Sequence, residues 1–218
     1  MEDFEEVNIN GVKVFYKKKH DGGGIKFHRA FIDRLKLERK QSYKRCMEFA
    51  SGPGFIGFSL LAEGVIDELV FVDVNKSVFE GVEITLKENN LDVEKVKMFE
   101  ANWGDQSFIE KIGTCDLVVS NPPHIDVVNP DTGKIPYDDH PIIYSDPDFS
   151  IHRNFFNYAK SFLSDDGLIL FIENAHFSSL SQIIGNESFS GLKFSHEDEV
   201  LSGSTKLSGK YWLIVRRG

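Results

Sequence analysis

Cysteine is scarce in this chain: Cys46 and Cys115 are the only two in 218 residues, and neither has a C-x-x-C partner. That excludes a disulfide framework, and free buried thiols in a reducing compartment are expected. Long hydrophobic runs are missing too. No stretch approaches the roughly 18 apolar residues of a membrane helix, and the opening MEDFEEVNIN lacks the basic-then-apolar pattern of an export signal. A cytoplasmic protein with no membrane partner is therefore expected. There is no internal repeat, low-complexity tract or second-domain linker, which leaves one domain with a small appendage. The segment HPIIYSDPDFSIHR and its approach hold Asp138, Asp139, His140, Asp146, Asp148 and His152, but without a compact ligand spacing, so no metal is expected. Asp148 or Ser150 is the expected cap of the following helix, with His152 and Arg153 facing solvent or substrate.

What is present is a balanced composition, 41% apolar and 27% charged, as in globular proteins. The net charge of −9 is unevenly spread. Between Lys13 and Arg45 stand twelve basic residues and three acids, so that segment carries +9 and the remainder −18. A basic arm on an acidic body can contact phosphates, or it can be a solvated helix face; both readings stay open.

Periodicity then organises the chain. EEVNINGVKVFYK alternates around Asn10-Gly11, a two-residue hairpin signal. After HDGGGIKF, residues 27–39 have near-helical apolar spacing. From Arg45 onward apolar strand-like runs (46–50, 68–74, 96–101, 115–121 and 167–174) alternate with helical patterns (55–63, 76–89, 105–111 and 149–163). Such alternation predicts an α/β fold with a mainly parallel sheet and helices on both faces. LKFSHEDEVL and KYWLIVRRG, joined by a turn-rich stretch, predict an antiparallel C-terminal hairpin. The expected division is 1–43, a hairpin and helix extension, and 44–218, the main domain. The longest irregular stretch, 122–147, is of a length that is usually functional or disordered.

Two constellations carry chemistry. In Glu48-Phe49-Ala50-Ser51-Gly52-Pro53-Gly54-Phe55-Ile56-Gly57, glycines form G-x-G-x-x-G between a strand and a helix. Gly52 suits a tight turn, Gly54 a close ligand approach and Gly57 helix-on-strand packing. The next strand ends at Asp73, beside Val74, where a carboxylate can accept from ribose hydroxyls or simply favour a helix N-terminus. A nicotinamide cofactor and S-adenosylmethionine both satisfy this frame. Glu48 beside the loop would repel a pyrophosphate but suit an ammonium group. Asn102 and Trp103 follow the third core strand, placed for a nucleobase edge and face, although Trp103 can equally be core packing.

The second constellation is Leu117-Val118-Val119-Ser120-Asn121-Pro122-Pro123-His124. Two prolines end the ladder and hold the next few residues rigidly. At the carboxyl end of a strand beside the first, this tip lies where open α/β sheets bind ligands. Asn121 Oδ1 and the Pro122 carbonyl could each accept one N–H of a target NH₂, turning its lone pair toward a methyl donor, while Pro123 stiffens the pair and the His124 ring stacks on a planar target.

Together, EFASGPGFIG, VDVN, EANW and DLVVSNPPH resemble the class I S-adenosylmethionine-dependent methyltransferases of the N-P-P-Y type, among them the release-factor glutamine methyltransferases and nucleic-acid amino-methyltransferases. The resemblance covers 46–174 and implies a Rossmann-like, seven-stranded, mainly parallel sheet with a reversed C-terminal hairpin. It also implies S-adenosylmethionine as cofactor, held by Glu48, Ala50, Gly52, Gly54, Gly57, Asp73, Val74, Asn102, Trp103 and Asn121, and catalysis by Asn121, Pro122, Pro123 and His124. Expected acceptors are a protein glutamine amide, a nucleobase amine or a small-molecule amine. Ala50 stands where the family often has glycine, and His124 where it usually has Tyr, Phe or Trp. A catalytically silent nucleotide-binding or scaffold protein and an NAD-dependent oxidoreductase are the alternatives.

Overall fold

A computed structural model describes residues 3–40, 42–101, 106–126 and 141–218. Strands β1 (Glu5–Ile9) and β2 (Val12–Tyr16) form the expected hairpin, with Asn10 and Gly11 at φ 52° and 91°. Both central residues are left-handed, the geometry that matches strand twist in a two-residue turn. Helix α1 (Gly24–Leu35) comes next; it begins three residues before the expected start and ends four before the expected end. Its start is shaped by Gly23, at φ 99°, whose N–H donates to Asp21 Oδ1. Beyond Leu35 the apolar spacing fails: Leu37 points into solvent, 78% exposed, as the chain turns back to enter the sheet.

The sheet is built from β3 (Tyr43–Phe49), β4 (Ile66–Asp73), β5 (Val96–Glu100), β6 (Cys115–Ser120), β7 (Leu163–Asn174), β8 (Leu192–Glu197) and β11 (Lys210–Arg217). Their spatial order is β5-β4-β3-β6-β7-β11-β8, seven strands, parallel except for β11, which runs antiparallel to both neighbours. Between the strands run α2 (Phe55–Ala62), α3 (Phe79–Glu88), α4 (Gln106–Ile112), α5 (Pro141–Tyr144) and α6 (Ser150–Phe162). Short elements that periodicity did not predict, α7 (Leu180–Ile184), β9 (Leu201–Ser202) and β10 (Thr205–Lys206), complete the C-terminal region. No helix among the described residues is long and apolar enough to cross a membrane.

Each central strand buries both faces, which is why its sequence reads as a continuous apolar run. On β7, Leu168, Leu170 and Ile172 enter one core with α1, α2 and α3; Ile169 and Phe171 enter the other with α4 and α6. The N-terminal hairpin shares the first core through Ile9, Val12, Val14 and Tyr16. Phe15 N–H also donates to Thr85 Oγ1 at 2.9 Å, fastening β2 to α3. Both cysteines are buried and unbonded, and burial pushes both thiols up, Cys115 to about 12.

Within the basic segment, Lys13, Lys17, Arg29, Arg34, Lys40 and Arg45 pair with carboxylates of the chain itself. Much of that charge therefore offsets the acidic body. Lys18, Lys19 and Lys26 are exposed.

Candidate active site

The tips of β3, β4 and β6 lie side by side and wall a cavity of about 440 Å³. Ser120 Oγ donates to the Phe49 carbonyl at 2.5 Å and ties the β3 and β6 tips together. Past β3 the chain turns sharply, with Ala50, Gly52 and Gly54 at φ 50°, 50° and 83°. Ala50 thus adopts the left-handed conformation that costs a Cβ-bearing residue about 1–2 kcal/mol.

Gly52 N–H donates to Asp73 Oδ2 at 2.7 Å, and Asn75 N–H to Oδ1 at 2.8 Å. Asp73 is 9% exposed; burial raises its pKa while the Asn75, Gly52 and Val74 amides oppose the shift. Each carboxylate oxygen has further lone-pair capacity for a hydroxyl donor. Next to it Val74 stands 53% exposed at the cavity rim, an apolar surface open to a flat ligand face.

Glu48 is buried with Oε2 accepting from Gly57 N–H at 2.7 Å. Burial pushes its pKa up to about 8 against the pull of the Gly57 and Ile56 amides, with Asp73 adding to the rise. Gly57 has no room for a side chain: an added Cβ would meet Glu48 Oε2 and Leu69 Cδ1 at 2.7 Å. Gly54 has a similar reason to be glycine. Its Cβ would meet the Phe71 ring at 2.6 Å, so the protein's own core leaves no room for a side chain there.

Asn121, at the tip of β6, donates from Nδ2 to the Gly22 carbonyl at 3.0 Å. Its Oδ1 is buried and has no hydrogen-bond partner among the described residues. Pro122 and Pro123 are buried. The His124 ring lies near-parallel to Phe177, centroids 6.4 Å apart, with Nδ1 3.9 Å from Glu173 Oε2. Burial lowers the His124 pKa, with Glu173 and the neighbouring Pro122 carbonyl working against the shift.

Glu48, Ala50, Gly52, Asp73, Val74, Asn121 and Pro123 therefore share one cavity; Gly54, Gly57, Pro122 and His124 stand behind or beside its described wall. Asn102 and Trp103 lie outside the described residues. His20, Gly22 and Gly24, which sequence reasoning did not single out, also line the cavity. Their signal was the glycine cluster HDGGG, whose distance in sequence from β6 hid their meeting at one cavity.

Past the tip of β6, an isolated bridge joins Ile125 to Ser145, with Asp146 N–H donating to the Ile125 carbonyl at 3.0 Å. Here two expectations need correcting. His152 faces neither solvent nor substrate: it is fully buried, Nδ1 2.5 Å from Asp146 Oδ2 and Nε2 2.9 Å from Glu173 Oε1. Asp146, not Asp148 or Ser150, serves the start of α6, accepting from the Ile151 and His152 amides. Ser178 Oγ completes the network on Glu173 Oε2 at 3.1 Å. Although burial acts to lower the His152 pKa, the two carboxylates raise it to about 9. An imidazole with a carboxylate on each nitrogen carries both protons; Asp146 is only six residues upstream, but local sequence could not reveal the second partner, Glu173, on β7.

The sequence pattern of the methyltransferase small domain matches residues 8–132, more than half of the chain. The chain belongs to the methyltransferase small domain family. Release factor glutamine methyltransferase of Haemophilus influenzae is 25% identical over 146 residues, covering 62% of this chain and 48% of that protein. The chain thus spans about half the length of the curated relative it matches. Among solved structures, the T. thermophilus 16S rRNA N2 G1207 methyltransferase in complex with AdoMet and guanosine superposes with a TM-score of 0.62 at 15% identity, covering 99% of this chain and 50% of that one. M. jannaschii TYW2 in complex with AdoMet gives 0.59 at 13% identity, covering 99% and 87%. These likenesses establish the Rossmann-like methyltransferase fold with its reversed C-terminal strand.

Proposed function

We propose that this chain is an S-adenosylmethionine-dependent N-methyltransferase whose acceptor is a planar NH₂ group, that of a protein glutamine amide or of a nucleobase. The observation that carries the reading is Asn121 Oδ1, a buried amide oxygen without a described partner, on a residue that lines the same cavity as Asp73 and the glycine turn. A buried acceptor left unsatisfied costs about 1–3 kcal/mol, and a substrate N–H would satisfy it.

The residues present fit the cofactor. Asp73 can accept from ribose hydroxyls, Val74 can cover a nucleobase face, and Glu48 offers a carboxyl on the side where an ammonium group would be welcome. A cavity of about 440 Å³ lies within the usual range for small-molecule sites. Bound there, S-adenosylmethionine supplies a methyl group on a sulfonium sulfur. Asn121 Oδ1 and the Pro122 carbonyl accept the two N–H bonds of the acceptor and aim its nitrogen lone pair. Positioning and hydrogen bonding then supply the catalysis, and the proton leaves after transfer. The names of the relatives point to a glutamine in one case and a guanine N2 in the other. A nucleic-acid acceptor would run its phosphates past Lys18, Lys19 and Lys26, exposed on the segment that carries His20, Gly22 and Gly24.

Calorimetry with S-adenosylmethionine, followed by mass spectrometry of protein and RNA extract for a gained methyl group, tests the proposal. Binding and a methylated product are expected. No binding at millimolar ligand would leave a scaffold, binding without product a silent nucleotide-binding protein, and preference for NAD an oxidoreductase.

A further inference from the structure

The Asn121 amide has two ends, and only one arrangement of them suits an acceptor N–H. The Gly22 carbonyl, 3.0 Å from Nδ2, can only accept a hydrogen bond. It therefore holds the NH₂ end of the amide, and Oδ1 is the end left buried and unsatisfied among the described residues. Gly22 is itself held in place. On one side an added Cβ would meet Ile143 Cγ2 of α5 at 2.8 Å. On the other, His20 Nε2 and Ser77 Oγ are 3.1 Å apart, Ser77 Oγ donates to Asn75 Oδ1 at 2.7 Å, and Asn75 N–H donates to Asp73. The segment from His20 to Gly22 so joins the β4 tip to the β6 tip across the cavity.

We propose that the Gly22 carbonyl is the positioning group that fixes the Asn121 amide with Oδ1 toward the methyl acceptor, which makes the N-terminal extension part of the active site. The proposal deepens the methyltransferase reading and rests on it for the word acceptor; the orientation of the amide is a separate physical statement.

The discriminating variant is Asn121→Asp. Its carboxylate keeps an oxygen for the acceptor but presents another to the Gly22 oxygen, where two acceptors repel. Transfer of labelled methyl from S-adenosylmethionine to protein and RNA extract, measured at saturating cofactor, should fall at least 30-fold at pH 7.5. Lowering the pH restores a donor, because the variant's carboxyl, once protonated, can give its O–H to Gly22 and still offer its carbonyl oxygen. Activity of the variant relative to the native protein should therefore rise severalfold between pH 7.5 and 5.5. The ratio sets aside the titration that both proteins share, that of His20, Glu48 and Asp73 among the described residues lining the cavity and of His124 beside it. Near-native activity at pH 7.5, or a ratio flat with pH, would overturn the proposal. A second measurement does not need turnover. In the native protein the Asn121 side-chain amide protons, assigned by their loss in Asn121→Asp, should exchange with solvent at least tenfold more slowly than those of exposed Asn186. Equal exchange would overturn the clamp even in an active enzyme, whereas slow exchange with no methyl transfer by the native protein would leave the clamp standing and remove the methyltransferase reading.

Discussion

Replacing Glu48 by Gln should stabilise the protein, by an amount that grows with pH. The Glu48 carboxyl is buried, and its pKa rises from 4.5 to about 8. A carboxyl raised on folding gives its full stability below the unfolded pKa, where both states are protonated. That stability is lost as pH climbs from 4.5 toward 8, because the unfolded chain ionises and the folded one resists. Each unit of difference is worth about 1.4 kcal/mol, so the deficit is about 2 kcal/mol at pH 6 and about 4 kcal/mol at pH 7.5. Glutamine keeps an oxygen for the Gly57 N–H and never ionises. The variant should match the native protein near pH 4 and melt about 4–8 °C higher at pH 6. Thermal unfolding followed by circular dichroism at four pH values reads this directly. A difference independent of pH would refute the burial argument. The same residue makes a ligand-linked statement. An ammonium group beside Glu48 favours the carboxylate, so at pH 7 the native protein should release up to about one proton on binding S-adenosylmethionine, and Glu48→Gln none. Calorimetry in buffers of different ionisation enthalpy counts that proton.

Asp73→Ala should weaken S-adenosylhomocysteine binding about 10- to 100-fold in calorimetry, since hydrogen bonds to a charged group are worth about 1.5–3 kcal/mol; Asn121→Ala should leave that affinity within about threefold and lower methyl transfer by at least about 100-fold. Equal loss of binding in both variants would refute this division. His152→Ala should cost about 3–5 kcal/mol in urea unfolding at pH 6, because Asp146 and Glu173 lose the cation between them. Since the folded His152 pKa is raised to about 9, its contribution is complete below about pH 6.5 and disappears as pH rises through 9, so native and variant stabilities should converge over that window. Ala50→Gly should stabilise by up to about 1 kcal/mol, relief of the left-handed strain partly offset by the greater freedom of glycine in the unfolded chain, as measured by denaturant midpoint.

The sheet was legible because each of its inner strands is apolar on both faces, and residues such as Asp73 and Asn121 break that pattern where the strands end. Strand and helix cores therefore fall where periodicity puts them. The boundaries of α1 did not, since the same apolar spacing continues to Leu37 after the core face has ended. The glycine turn, Asp73 and Asn121 could be read because each sits at a fixed offset from a strand end. What joins them could not. Gly22 meets Asn121 across 99 positions, and Glu173 reaches His152 only after α6 packs on β7. Glu173 did leave a trace, a lone acid inside the apolar run GLILFIEN, and a buried acid there calls for a partner.

The bridge between Ile125 and Ser145 has a consequence for how such a protein can diversify. It pinches shut the base of the span between those two positions, within which Ile143 of α5 packs against Gly22 and lines the cavity. Loop-closure entropy grows only logarithmically, and doubling such a span costs about 0.6 kcal/mol. Chain ahead of α5 can therefore be exchanged or lengthened at little closure cost, while Asn121, Asp73, Glu48 and the glycine turn keep their places on the sheet frame.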